Sequence, residues 1–137
     1  MEMQPTTAVI YASKTGKTRK VAQYVASKLG ADIFDLKKQT MIDMKGYKRI
    51  VFGTGIHFGK PYDSVVKFLE TNKEELAKKK VSLFISCMST EEKGETQTAT
   101  VSESLGIKDV FYLDSKKEKN EDGFDAGIDG FIARQRV

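Results

Sequence analysis

Ser13, Thr15, Gly16, Lys17 and Thr18 fall within six residues and combine hydroxyl donors, a glycine and an ammonium. That set suits an anion, and a phosphate above all. The hydroxyls donate hydrogen bonds, the glycine lets the backbone come close or take positive φ, and Lys14 and Lys17 either pair with the anion or face solvent. A turn between a strand and a helix is needed to present them. Ala8-Val9-Ile10-Tyr11 is an apolar run of buried-strand length. After the turn, Val21, Tyr24, Val25 and Leu29 recur at helical spacing from about Gly16 to Leu29, with Gly30 as a natural C-cap. The first backbone N–H groups of such a helix have no internal partner and point at a ligand. The plain alternative is a hydroxyl-rich helix start with no ligand.

With 137 residues, 39% of them hydrophobic and 31% charged, the chain is expected to form one domain, 1–137, with a full core. No apolar run approaches the roughly 20 residues that span a bilayer. The first residues lack the charged-then-apolar layout of a signal segment. The one cysteine forms no internal disulfide, and no Cys/His cluster offers a structural metal site. A cytoplasmic protein with no membrane span and no structural metal is the expectation. The net charge of +4 is uneven: residues 1–60 carry eleven Lys/Arg against four Asp/Glu, and residues 61–137 carry twelve against fifteen. Basic proteins often bind nucleic acid, but no aromatic-and-basic ribbon or recognition motif occurs here, so nucleic acid is not an expected partner.

Further along, residues 31–36 read as a second strand at an edge, and residues 37–47 leave room only for a short helical turn around Met41–Met44. Residues 49–53 are a third strand. It runs into Thr54–Pro61, whose glycines and proline predict a loop, and a glycine-rich loop at a strand's carboxyl end is a favoured ligand position. Asp63 or Ser64 is expected to cap a helix with Val65, Phe68, Leu69 and Leu76 on one face. Residues 81–85 are a fourth strand, followed by Ser86-Cys87-Met88-Ser89. Thr96 to Leu105 is a weak helix ended by Gly106, and residues 110–113 are a fifth strand. The charged stretch 115–123 reads as mobile, and Phe124, Ile128, Phe131 and Ile132 mark a last helix. Five apolar strands alternating with helices imply an α/β fold with a parallel sheet covered on both faces.

Ser13-x-Thr15-Gly16-x-Thr18, straight after the first strand, matches in full the S/T-x-T-G-x-T pattern of the FMN-phosphate loop, and here the chain resembles the flavodoxins. The P-loop fits less well, because its first glycine would fall on Tyr11. Gly53-x-x-Ile56-x-Phe58-Gly59 is similar to the flavodoxin-like branch that includes menaquinone-dependent protoporphyrinogen oxidase, although the longer late segment of that enzyme has no counterpart here. The resemblance implies a flavodoxin-like three-layer α/β/α sandwich with a five-stranded parallel sheet in the order 2-1-3-4-5. It implies noncovalent FMN and, as partners, redox proteins that donate and accept electrons.

Carried over residue by residue, Ser13, Lys14, Thr15, Gly16, Lys17 and Thr18 would hold the phosphate. Thr54, Gly55, Ile56, His57, Phe58 and Gly59 would line one side of the flavin ring. Ser86, Cys87, Met88, Ser89 and Gly94 would approach its other side and pyrimidine edge. A glycine near flavin N5 lets a peptide turn over so that its carbonyl accepts a proton there, and both Gly55 and Gly59 are candidates. The chain departs from common flavodoxins in having no Trp and no aromatic in the loop after the fourth strand, so Phe58 and Met88 are the expected ring contacts. His57 is either a proton donor near N5 or a packing residue, and Cys87 is either a redox thiol or a small buried hydrophobe. Because the neighbourhood is basic rather than acidic, the flavin potential is expected to be less negative than in acidic flavodoxins. The leading expectation is an electron carrier. A quinone or porphyrinogen oxidoreductase and a non-redox nucleotide-binding or interaction module are the alternatives.

Overall fold

The computed structural model describes residues 6–14, 16–57, 60–86, 103, 105–113 and 118–136, with backbone only at 56, 57, 60 and 61. The sheet is built from β1 (Thr7–Tyr11), β2 (Asp32–Asp35), β3 (Arg49–His57), β4 (Lys60–Pro61), β5 (Lys80–Ser86) and β6 (Asp109–Leu113). Its order is β2-β1-β3-β5-β6, with the two-residue β4 paired to β3 alone. The five long strands are all parallel, and only β3–β4 is antiparallel. This is the 2-1-3-4-5 sheet expected from the sequence, flanked by α1 (Lys17–Leu29), α2 (Asp63–Thr71), the one-turn α3 (Lys73–Leu76) and α4 (Gly127–Arg134).

Two cores follow from the period-two alternation of buried strands. Ile10, Phe52, Leu83 and Ile85 face one side, where α2 adds Val65 and Phe68. Val9, Val51 and Phe84 face the other, where α1 adds Val21 and Val25 and α4 adds Ile128, Phe131 and Ile132. Gly53 lies under the Phe84 ring so closely that a Cβ there would stand 2.2 Å from it. The helices α1 and α4 are also joined by polar groups. The Tyr24 hydroxyl donates to Asp129 Oδ1 at 2.5 Å, and Asn120 Nδ2 donates to Asp129 Oδ2 at 3.0 Å.

Several elements differ from the sequence reading. Strand β3 continues through Thr54, Gly55, Ile56 and His57, which the glycine count assigned to a loop. The glycines are tolerated because Gly53 and Gly55 are paired to Phe84 and Ser86 of β5, so the ladder supplies the order that glycine lacks. Tyr62, not Asp63 or Ser64, is the N-cap residue of α2, and Leu76 belongs to α3 rather than to the α2 face. Residues 41–44 form no helical turn. Instead the 36–48 connection is pinned by Lys79, whose Nζ donates to Met44 O at 2.7 Å and Tyr47 O at 2.5 Å. Within the stretch read as mobile, residues 118–123 are held by Asn120, whose Oδ1 accepts from the N–H groups of Asp122 and Phe124 at 3.0 Å each. The expected helix 96–105 lies outside the described residues except at Glu103 and Leu105, both helical, with Gly106 at φ 69° after them.

Candidate functional site

The strand order reverses between β1 and β3: the chain leaves β1 toward β2 on one side and returns to β3 on the other. Loops leaving two such strands diverge and open a crevice at their carboxyl ends. The turn after β1 and the last residues of β3 meet here, tied by the Ala12 N–H donating to Gly53 O at 3.1 Å.

Gly16 is the N-cap residue of α1 at φ 87°, a left-handed conformation that favours glycine. Its N–H donates to Ser13 Oγ at 2.9 Å. A hydroxyl accepting in this way keeps its own O–H to donate. Ser13 and Thr18 are 6% and 3% exposed, so both side chains are packed within the fold rather than standing in water. The first turn of α1 contains no acidic residue, which leaves the positive end of the helix uncompensated. Buried hydroxyls, a left-handed glycine and a helix N-terminus together form a donor set that fits a phosphate.

On the β3 side, Thr54 is fully buried. Its Oγ1 donates to Gly55 O at 2.9 Å and accepts from the Tyr62 N–H at 3.0 Å, tying the end of β3 to the start of α2. Tyr62 packs onto Gly55, where a Cβ would meet its hydroxyl oxygen at 2.4 Å. Lys14 Nζ stands 5.0 Å from the Tyr62 ring centroid, a cation–π contact between the turn after β1 and the β3 side. Tyr62 is the site residue that sequence reasoning missed. Its signal was an aromatic directly before a helix start and after the glycine-rich segment, but nothing in the pattern showed that it folds back onto Gly55. Tyr11, where a P-loop would need glycine, is buried at the end of β1. Burial, then the charge of Asp35, pushes its hydroxyl above the ordinary tyrosine range.

The structure thus brings together Ser13, Lys14, Gly16, Lys17, Thr18, Thr54 and Gly55. Ser86 ends β5 opposite Gly55, at the same end of the sheet. Ile56 and His57 are strand residues whose backbones pair with Pro61 and Lys60. Thr15, Phe58, Gly59, Cys87, Met88, Ser89 and Gly94 lie outside the described residues. Among the described residues no helix is long and apolar enough to cross a membrane, and no group of three or more His, Cys, Asp or Glu is placed to hold a metal.

A doubly wound α/β sheet in the order 2-1-3-4-5, with a glycine-capped helix start at its switch point, defines the class of protein. The family model for the flavodoxin domain matches residues 8–120, most of the chain, and the chain belongs to that family. Flavodoxin 2 of Bacillus cereus superposes with a TM-score of 0.66 at 17% identity, over 94% of this chain and 98% of that one. A flavoprotein of Lactobacillus acidophilus in complex with FMN gives 0.57 at 16% identity, over 81% and 93%. At such identities the likeness is one of fold. In sequence, the chain is 39% identical to an uncharacterized protein of Methanocaldococcus jannaschii over 71 residues, 48% of this chain and 47% of that protein. The match therefore spans about half the length of that relative.

Proposed function

We propose that this chain binds FMN noncovalently and carries electrons between redox partner proteins. The observation that carries the reading is the meeting, at the β1/β3 switch point, of two buried hydroxyls and a helix N-terminus with the glycine-bearing end of β3. Membership of the flavodoxin domain family and the FMN complex of the L. acidophilus flavoprotein support it.

In this reading Ser13 and Thr18 donate their hydroxyls to the phosphate, and the N–H groups of the first turn of α1 add to them. The Gly16 N–H is engaged by Ser13 and fixes the turn instead of binding ligand. Thr54 orients the end of β3, and Tyr62 walls the crevice beside Gly55 with Lys14 on its ring. Gly55 sits in the β5 ladder against Tyr62, which argues against a peptide turning over there. The flavin supplies the redox chemistry when bound, and the chain holds it and sets the charge around it. Lys14 and Lys17 are exposed beside the turn and would favour added negative charge on the ring.

The test is an absorbance spectrum of the purified protein, or of the protein reconstituted with FMN, followed by stepwise anaerobic reduction. Flavin bands and reduction in two separate one-electron steps are expected. A single two-electron step would point to an oxidoreductase acting on a quinone or a porphyrinogen. A protein that takes up no FMN would overturn both readings.

A further inference from the structure

Three aromatic rings among the described residues carry a cation. Lys28 Nζ lies 5.5 Å from the Tyr24 centroid, and Arg134 Cζ lies 5.4 Å from that of Phe131. These pairs are four and three residues apart on α1 and α4, where the helical repeat alone makes such residues neighbours. Lys14 over Tyr62, at 5.0 Å, is different. Its two residues are forty-eight positions apart, one in the turn after β1 and the other at the start of α2. Tertiary packing, not local spacing, brings this pair together, and it does so at the switch point.

The two partners differ in freedom. Tyr62 is fixed. Its N–H donates to Oγ1 of the buried Thr54 at 3.0 Å, and its carbonyl accepts from the N–H groups of Val65 and Val66 at 3.0 and 3.2 Å. Its ring packs against the core that contains Phe52 and Phe68, and its hydroxyl fills the space that a side chain at Gly55 would need. Lys14 is exposed, and its ammonium rides on a flexible four-carbon stem. Among the described residues it forms no ion pair. Without the ring, that ammonium would range through solvent. An exposed cation–π contact favours one position about two- to fivefold, enough to keep the charge over Tyr62 most of the time.

We propose that Tyr62 is a positioning residue for the Lys14 charge and so helps set the potential of the flavin. The inference rests on the FMN reading above and adds to it. Tyr62 holds the ammonium beside the carboxyl end of β3, so that the positive charge bears on the flavin rather than on bulk water. A positive charge held near the ring favours each added electron. The effect runs through Lys14 and needs the aromatic face of Tyr62, not its hydroxyl. A rigid aromatic thus does for a mobile lysine what a buried ion pair would do, without placing a neutralising carboxylate beside it.

The test is a cycle of variants of the whole chain, loaded with FMN and read by spectroelectrochemistry. Lys14→Gln removes the charge and is expected to disfavour the second electron about threefold, or about 30 mV for one electron. Tyr62→Leu keeps the charge but frees it, and is expected to disfavour that electron about twofold, or about 18 mV. The double variant K14Q/Y62L is expected to show the change of Lys14→Gln alone, not the roughly sixfold change of two independent effects. Tyr62→Phe keeps the aromatic face and is expected to keep the unsubstituted potential. A second readout needs no flavin. Protons over an aromatic face are shielded by its ring current, so the Lys14 ε-methylene protons are expected upfield of the ordinary lysine position in an NMR spectrum of the protein alone. The upfield shift is expected to persist in Tyr62→Phe and vanish in Tyr62→Leu, and the dispersion of the same spectra shows whether each variant is folded. Independent effects in the double variant would overturn the proposal, as would a potential of Tyr62→Phe as low as that of Tyr62→Leu. Ordinary Lys14 protons with normal FMN uptake would overturn the proposal and leave the flavin reading standing. Upfield Lys14 protons in a protein that takes up no FMN would overturn the flavin reading and, with it, the role of the held charge.

Discussion

The two ends of this one sheet use polar groups in opposite ways. At the amino end they are spent on each other. The Gln135 amide donates to Asp109 Oδ2 and Phe131 O, and accepts from Ser82 Oγ and Arg49, with all four bonds between 2.8 and 3.1 Å. The Tyr47 hydroxyl there is pushed up to about 12 by burial and by its bond to Asp32. At the carboxyl end Ser13 and Thr18 are buried beside the start of α1, where the proposed reading places the phosphate. A buried network that is fully satisfied holds a fold together, whereas in the proposed reading the donors of the carboxyl end serve a ligand. One end is therefore expected to govern stability and the other affinity.

The strongest way to break that contrast is at Gln135. Gln135→Ala takes an acceptor from Ser82 and Arg49 and a donor from Asp109, and should cost about 3 kcal/mol of unfolding free energy. Urea denaturation reads that cost, and FMN affinity should stay unchanged; a matching loss of affinity would mean that the two ends are coupled. Gly55→Ala forces Tyr62 off β3 and should cost about 2 kcal/mol, with the Tyr62 ring displaced in a structure of the variant. If Gly55→Ala leaves Tyr62 and stability as they were, the wall assigned to the crevice is wrong.

At the carboxyl end, Ser13→Ala should lower FMN affinity at least tenfold, measured by quenching of flavin fluorescence, for about 1 kcal/mol of stability. The reverse pattern, a large stability loss with normal affinity, would move Ser13 to the structural side.

The Tyr24–Asp129 pair, which lies at neither end, sharpens the comparison with a titration. Burial and the bond to Asp129 push Tyr24 up to about 12. Its hydroxyl thus adds stability at pH values below 10 that fades as pH rises through about 12. Bonds from Tyr24 and then Asn120 hold Asp129 below its ordinary value. Its contribution is present above the usual carboxylate range and lost as pH falls through the lowered value. Asp129 is exposed, so screening keeps the pair below about 1 kcal/mol. Tyr24→Phe should flatten both limbs of a stability–pH curve, and an unchanged acid limb would show that Asn120 alone holds Asp129. The smallest effect is expected from Lys14→Gln, which should lower the flavin potential by about 30 mV, read by spectroelectrochemistry. A shift of the opposite sign would place Lys14 away from the ring.

Much of this was legible in the chain because it is local. The strand-forming run at Val9–Tyr11, the glycines at 16 and 30 that bound α1, and the hydroxyl spacing in the turn all act within a few residues, where pattern and propensity speak directly. The extension of β3 through Gly55 was not legible. Glycine has no strand preference of its own, and the order comes from pairing with Ser86, thirty-one residues away in the chain. The N-cap role of Tyr62, the missing turn at 41–44 and the anchoring of 118–123 failed for the same reason, since the bonds of Tyr62 to Thr54, of Lys79 to Met44 and of Asn120 to Tyr24 join residues 8, 35 and 96 positions apart.

By itself, then, the sequence determined most of the elements, the parallel α/β class and the hydroxyl-and-glycine pattern of residues 13–18, because backbone periodicity and helix-end chemistry are short-range. Only the tertiary structure decided which side chain packs on the end of β3 and which ones tie the opposite end together. Tyr62 reaches Gly55, and Gln135 reaches Arg49, Ser82 and Asp109, because packing joins segments that the chain keeps far apart.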